Sequence, residues 1–254
     1  MASAPQQQSL PLLYHELVPL QSQVHGGWKA RRMENLSLLR GIHAVPLTVE
    51  EFVAAQRSYP IIFSVGDDPV PLALMGLNEG VNMFLNEEGH LREDAYLPAY
   101  VRRYPFMLVR LSPDREDLSL CFDSSSGLLG EFEEGSALFV DGEPSPEIKG
   151  TLEFCEQFEI AAQRTGAFVR ELQQMGLLTE GEITIQPAEG SQPFVYRGFQ
   201  LLNEEKFREL RGDQLRKMMQ SGMLPALHAH LFSLGLLRTL FDMQVRAGVM
   251  PRQA

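Results

Sequence analysis

The chain is predicted to be an α+β protein: an N-terminal antiparallel β-meander or sheet with short helices, followed by a helical C-terminal half. Three observations predict it. Short apolar runs at 61–65, 72–77 and 82–86 are separated by Gly66-Asp67-Asp68-Pro69 and Asn78-Glu79-Gly80, which is turn chemistry. Beyond the breaker-rich stretch Val140-Asp141-Gly142-Glu143-Pro144-Ser145-Pro146 the pattern turns helical. Leu152, Cys155, Phe158, Ala162, Phe168 or Val169, Leu172 and Met175 then recur at three- and four-residue spacing. Two late strand-like runs, 182–186 and 194–202, bracket a loop at 187–193 and could pair as a hairpin that returns the chain to the sheet edge. That return argues against independent halves. Residues 11–254 are therefore read as one domain, β-rich over 11–145 and helix-rich over 146–254, after a polar, proline-broken arm at 1–10 expected to be disordered.

Composition narrows the function classes. The chain has 254 residues, enough for a substantial core, with 44% hydrophobic and 22% charged residues and a formal net charge of −11. Such an acidic balance repels phosphate backbones, so nucleic acid is not an expected partner. The compact basic groups are Lys29/Arg31/Arg32, Arg102/Arg103 and Arg208/Arg211/Arg216/Lys217, and the last reads as a solvated helix face. The two cysteines, Cys121 and Cys155, make no disulfide framework and are read as reduced thiols. Residues 1–24 carry no Lys or Arg and no continuous apolar run, so they do not read as a secretory signal. No apolar run approaches the ~20 residues of a membrane span. A cytoplasmic location and no transmembrane segment are the expectation.

Taken in order, residues 12–20 suit an edge strand or extended segment. His25-Gly26-Gly27-Trp28 reads as a tight turn with positive φ, beside which the chain's one tryptophan packs as a core anchor; a ligand-facing His25/Trp28 pair is the sharper alternative. Residues 36–45 fit a short strand. Thr48 with Glu51 three positions on matches a capping box, so 48–57 reads as an amphipathic helix presenting Val49, Phe52, Val53 and Gln56 on one face. Pro60 and Pro105 each follow a tyrosine and open a strand, at 61 and at 106–111. The turn Ser112-Pro113-Asp114-Arg115 leads to a hairpin partner at 118–122, and Asp123-Ser124-Ser125-Ser126-Gly127 is a loop. The long helix spans 151–175, with Gly176 suited to its C-terminal cap. Asn203 and Asp213 start short helices, Gly222 ends the second, and Pro225 begins a last helix lined by Leu224, Leu227, Leu231, Leu234 and Phe241.

Candidate chemistry is sparse. His228 and His230 lie about 200° apart on a helix and cannot chelate one metal from it, so no metal site is expected; His228, on the apolar side, reads as a satisfied core histidine. Neither cysteine sits in a nucleophile signature, and Ser124-Ser125-Ser126 lacks an elbow sequence. Walker A and GxGxxG segments are absent, and no cofactor is expected. What remains is Tyr96-Leu97-Pro98-Ala99-Tyr100-Val101-Arg102-Arg103-Tyr104-Pro105-Phe106. The adjacent arginines must diverge: one can engage Glu87, Glu88, Glu93 or Asp94, or an aromatic face, while the other faces solvent or a carboxylate-bearing partner framed by Tyr96, Tyr100 and Tyr104.

Several of these pieces resemble a known family. Val45-Pro46-Leu47, Glu51-Phe52, Tyr59-Pro60-Ile61-Ile62-Phe63, Gly76-Leu77 with Asn82-Met83-Phe84, the Tyr96–Phe106 block, Gly198-Phe199-Gln200-Leu201-Leu202 and His228-Ala229-His230-Leu231-Phe232-Ser233-Leu234 are similar to bacterial SapC-like proteins. The resemblance spans roughly 17–240 and is most specific in the Tyr96–Phe106 block. The SapC peptide-transport permease, which shares the name, is a different protein and would require membrane spans. The resemblance implies a context of surface-layer gene clusters, outer-membrane receptors and flavin-dependent halogenases, and it carries over no catalytic residue. The leading reading is a non-enzymatic accessory or binding protein whose partner is a protein or a carboxylate-bearing ligand, with His25, Trp28, Tyr96, Tyr100, Arg102, Arg103 and Tyr104 as binding candidates. One alternative is a hydrolase or modifying enzyme with a distributed site at His25, Cys121 and Asp123; another is a small-molecule sensor with a pocket near Trp28 and Tyr100. The oligomeric state stays open.

Overall fold

A computed structural model describes residues 10–112, 117–186 and 193–249. The expected arm at 1–10 lies outside these residues except for Leu10, as do most of the turn at 112–115 and the loop at 187–193. The chain is α+β, with antiparallel sheets dominating its first half and helices its second.

In chain order the first elements are β1 (Leu17–Pro19), α1 (Ser22–His25), β2 (Lys29–Ala30), β3 (Ala44–Pro46), α2 (Phe52–Ala55), β4 (Ile61–Phe63), β5 (Pro71–Leu74) and α3 (Ala99–Arg102). Then come β6 (Phe106–Val109), β7 (Ser119–Asp123), β8 (Leu129–Gly130), β9 (Ser136–Ala137), β10 (Phe139–Val140) and β11 (Glu143–Pro144). The helical half holds α4 (Pro146–Gln174), the hairpin β12 (Leu178–Ile185) and β13 (Phe194–Leu202), and α5 (Glu204–Arg208), α6 (Gly212–Ser221), α7 (Met223–Ser233) and α8 (Leu236–Arg246).

Two compact units divide the chain, and neither is continuous in sequence. The first comprises residues 1–34 and 103–157. Its sheets run β1-β7-β6, β8-β2-β9 and the separate two-stranded β10-β11, all antiparallel. Phe106, Leu108, Phe122, Leu129, Leu138, Ile148 and Cys155 form its buried core, with Trp28 packed against it. As expected, β1 is an edge strand and 119–123 is the hairpin partner of 106–109.

The second unit comprises residues 35–102 and 158–254 and contains the five-stranded sheet β12-β13-β4-β5-β3. The late hairpin does return to the sheet, through Gln200 opposite Phe63. Within the hairpin itself Gly181 leaves room for the Phe199 ring opposite it, which a Cβ there would meet at 2.3 Å; the register shifts just beyond, between Gly181 and Ile183. Phe52 packs against Phe63 and Phe168, with ring centroids 6.4 and 5.9 Å away, and anchors α2 and α4 to the sheet.

Several element readings need correction. The expected third strand at 82–86 does not form. The Asn82 side chain donates to the Leu39 and Ile42 carbonyls and accepts from the Phe84 amide, a local pattern that competes with a ladder. The meander partner of β5 is instead β3, the only part of the 36–45 run that is a strand; Ser37–Leu39 is a 3-10 turn. Gly26 has φ −59 and Gly27 lacks positive φ. Gly26 is required for space, since a Cβ would meet the Ser22 carbonyl oxygen at 2.6 Å. Val53 is 53% exposed, and the buried residues of the 48–57 segment are Thr48, Glu51, Phe52 and Ala55. α4 starts at Pro146, not 151: Ser145 accepts the Ile148 amide and the proline occupies the first helical position, so residues read as breakers are a helix start. The single last helix is two, α7 and α8.

Candidate functional site

Within the second unit, the polar centre of the Tyr96–Arg102 stretch is Glu51, only 6% exposed. Thr48 and Glu51 form the expected capping box, in which Glu51 Oε2 accepts from the Thr48 amide and hydroxyl at 2.8 and 2.9 Å. The other oxygen, Oε1, accepts from the Tyr96 hydroxyl at 3.0 Å and the Ala99 amide at 2.6 Å. A cap at one helix start therefore also holds the start of α3. The Arg102 guanidinium continues the chain outward, donating to the Tyr96 hydroxyl at 3.3 Å with its carbon 6.0 Å from that ring. Burial and the Glu51 carboxylate push the Tyr96 phenol above its ordinary value, so it remains a donor.

Tyr100 points elsewhere in the same unit. It is 5% exposed, stands edge-on to Phe158 at 6.3 Å, and lines an apolar cleft of about 280 Å³ with Pro46, Pro71, Ala162 and Val169. Two of the carboxylates proposed as arginine partners have other contacts here: Asp94 pairs with Arg92 at 3.3 Å and Glu88 lies 3.6 Å from His90.

Within the first unit, Arg103 is 5% exposed and stacks over Tyr14, 5.6 Å from the ring centroid. The adjacent arginines thus diverge as expected, one buried and one exposed. Tyr104 packs against Tyr14 at 5.4 Å and donates to Asp123 Oδ2 at 3.3 Å. Asp123 is fully buried, and both its oxygens are engaged. Oδ1 accepts from the Glu16 amide and from the Ser125 amide and hydroxyl, while Oδ2 also accepts from the His15 amide. Burial alone would raise the Asp123 pKa; the hydrogen bonds from Ser125, His15 and Glu16 outweigh it and the net shift is downward.

His25, 4% exposed, accepts the Gln21 amide at Nδ1 and stands edge-on to Trp28 at 4.6 Å and Phe122 at 5.3 Å. Burial lowers its pKa. Trp28 is partly buried and packs against the core of the first unit. Cys121 is buried, and burial pushes its thiol up, away from the thiolate a nucleophile needs.

The SapC family model matches residues 20–240. The chain belongs to the SapC family. No curated protein and no solved structure matches it.

In this SapC-family chain the seven binding candidates are divided between the units. In the second, Arg102 donates to the Tyr96 hydroxyl, which donates to Glu51, and Tyr100 faces the cleft; His25, Trp28, Arg103 and Tyr104 belong to the first. The core histidine is His230, not His228. His230 is fully buried, donates from Nδ1 to the Ile61 carbonyl at 2.8 Å and accepts the Leu202 amide at Nε2 at 3.2 Å, while His228 is half-buried and donates to Leu224. The signal was present in Ile61-Ile62-Phe63, whose strand needs partners, but nothing local points it at residue 230. Among the described residues no group of three His, Cys, Asp or Glu side chains could hold a metal, and no helix is long and apolar enough to cross a membrane.

Proposed function

We propose that this protein is a non-enzymatic accessory or binding protein, working in the surface-layer or outer-membrane uptake context that the family resemblance implies, with Arg102 as its contact to a carboxylate-bearing partner. The observation that supports this reading is the engagement of the acid–base groups. Glu51 and Asp123 hold backbone amides and hydroxyls with both carboxylate oxygens, and His230 bridges the Ile61 carbonyl and the Leu202 amide with its two ring nitrogens, an arrangement suited to bracing a fold rather than to proton transfer. Arg102 is exposed and donates to the Tyr96 hydroxyl, which itself donates to the buried Glu51.

The test is retention of native-host proteins on immobilised wild type and Arg102→Ala, with an acidic peptide column as competitor. A partner retained by wild type, displaced by the peptide and lost from Arg102→Ala supports the reading, provided Arg102→Ala melts within about 2 °C of wild type. Arg103→Ala, which removes a buried side chain, is expected to lower stability by about 2 kcal/mol and serves as the contrast. An identical retained set for wild type and Arg102→Ala would remove Arg102 from the reading. Covalent capture of Cys121 or Ser125 by thiol- or serine-directed probes would overturn the non-enzymatic part.

A second reading, the small-molecule sensor, is favoured by the position of Tyr100 in the 280 Å³ cleft. Ala162→Phe would fill that cleft from the helix side. The sensor reading requires a ligand whose stabilising effect on wild type disappears in this variant.

A further inference from the structure

We infer that a recess in the second unit, lined by Arg57, Pro60, Phe84, Arg92, Leu240 and Met243, is a binding site for a small monocarboxylate with an apolar body, of the size of benzoate. Its volume is about 150 Å³, and an apolar space of roughly 150 Å³ is enough for one benzene-sized ring. The floor is the Phe84 ring with Pro60, Leu240 and Met243, side chains supplied by the start of β4, the segment after β5 and one face of α8.

The charge at the mouth selects the ligand. Arg92 pairs with Asp94 at 3.3 Å, lies 5.9 Å from the Phe84 ring and donates to the Met243 sulfur, so it is both oriented and partly neutralised. Arg57 is exposed, and no ion pair joins it to a carboxylate among the described residues. Two guanidiniums and one carboxylate around the recess leave one net positive charge, on a chain whose formal charge is −11. A planar monoanion balances that charge and matches the planar fork of Arg57; a dianion such as phosphate would meet Asp94 with excess charge. The site is separate from the Arg102 contact and does not rest on it.

Amide NMR titration of the full chain with sodium benzoate is the test. Saturable shifts confined to Arg57, Phe84 and residues 236–243, with a Kd of about 1 mM or tighter, are expected. Benzyl alcohol, the uncharged counterpart, should bind at least about tenfold more weakly, and so should benzoate to Arg57→Gln, an exposed change that leaves the packing alone. Thr239→Tyr, which crowds the mouth from an exposed position on α8, should abolish saturation. Absence of a saturable shift, equal affinity for benzyl alcohol, an unchanged Kd in Arg57→Gln, or inorganic phosphate binding as tightly as benzoate would each overturn the assignment. Arg102→Ala should leave the benzoate titration unchanged; a tenfold loss there would also overturn it.

Discussion

The Tyr96 hydroxyl donates to Glu51, 45 residues earlier in the chain, at 3.0 Å, on the oxygen that also accepts the Ala99 amide. Glu51 is thus a joint between the capping box at Thr48 and the first turn of α3. Glu51→Ala would leave buried donors on Thr48 and Ala99 without an acceptor and is expected to cost about 3 kcal/mol; Tyr96→Phe, which removes only one hydroxyl, about 1 kcal/mol. Urea denaturation of the two variants and of the double mutant checks both values, and a non-additive cycle is expected because the groups share one bond.

Asp123 predicts the acid limit of stability. Its folded pKa lies below the ordinary value of 3.8. Above 3.8 both folded and unfolded chains carry the carboxylate and the stabilisation is complete. As pH falls through 3.8 toward the lower folded value, the unfolded chain takes up the proton first, and the stabilisation is lost. Asp123→Asn should cost about 2 kcal/mol near neutral pH and flatten this part of the acid-denaturation profile.

His230 acts in a higher window. Burial lowers its pKa from 6.5 to about 4, and the ring is neutral where it bridges Ile61 and Leu202. Above pH 6.5 neither state binds the extra proton. Between 6.5 and about 4 only the unfolded chain does, so stability should decline as pH falls, by about 3 kcal/mol over the window. Denaturation midpoints at neutral pH and near pH 5 test this, and His230→Gln should remove the slope while lowering stability at every pH.

We propose that residues 11–254 unfold as one domain. Both compact units are assembled from two separated chain segments, so neither can be excised as a continuous piece, and α4 is divided between them. Calorimetry is expected to give a single transition whose calorimetric and van't Hoff enthalpies agree; two resolved transitions would show the units to be independent.

Features whose partners lie in one stretch are legible in the sequence. The Thr48/Glu51 cap, the Asn203 cap that accepts the Lys206 amide, the left-handed Gly222 at the end of α6 and the late hairpin all combine donor and acceptor, or turn and strand, within a short span. Features in which one residue serves two patterns are not legible in this way. Ser145-Pro146 breaks a preceding strand and also starts a helix. Asn82 sits in a strand-like run, yet its side chain meets carbonyls about 40 residues back.

The amino-acid sequence by itself determined the α+β class, the order of the principal strands and helices, the return of the late hairpin and membership of the SapC family, because periodicity, caps and turn residues act over a few positions. Only the tertiary structure decided which of two adjacent arginines is buried, which of two nearby histidines is the core one, and that Glu51 joins two helix starts. Those outcomes depend on acceptors and rings far along the chain, such as Ile61 for His230 at a separation of 169 residues. A side chain's sequence neighbours set the face it points from; they do not name the group it will meet there.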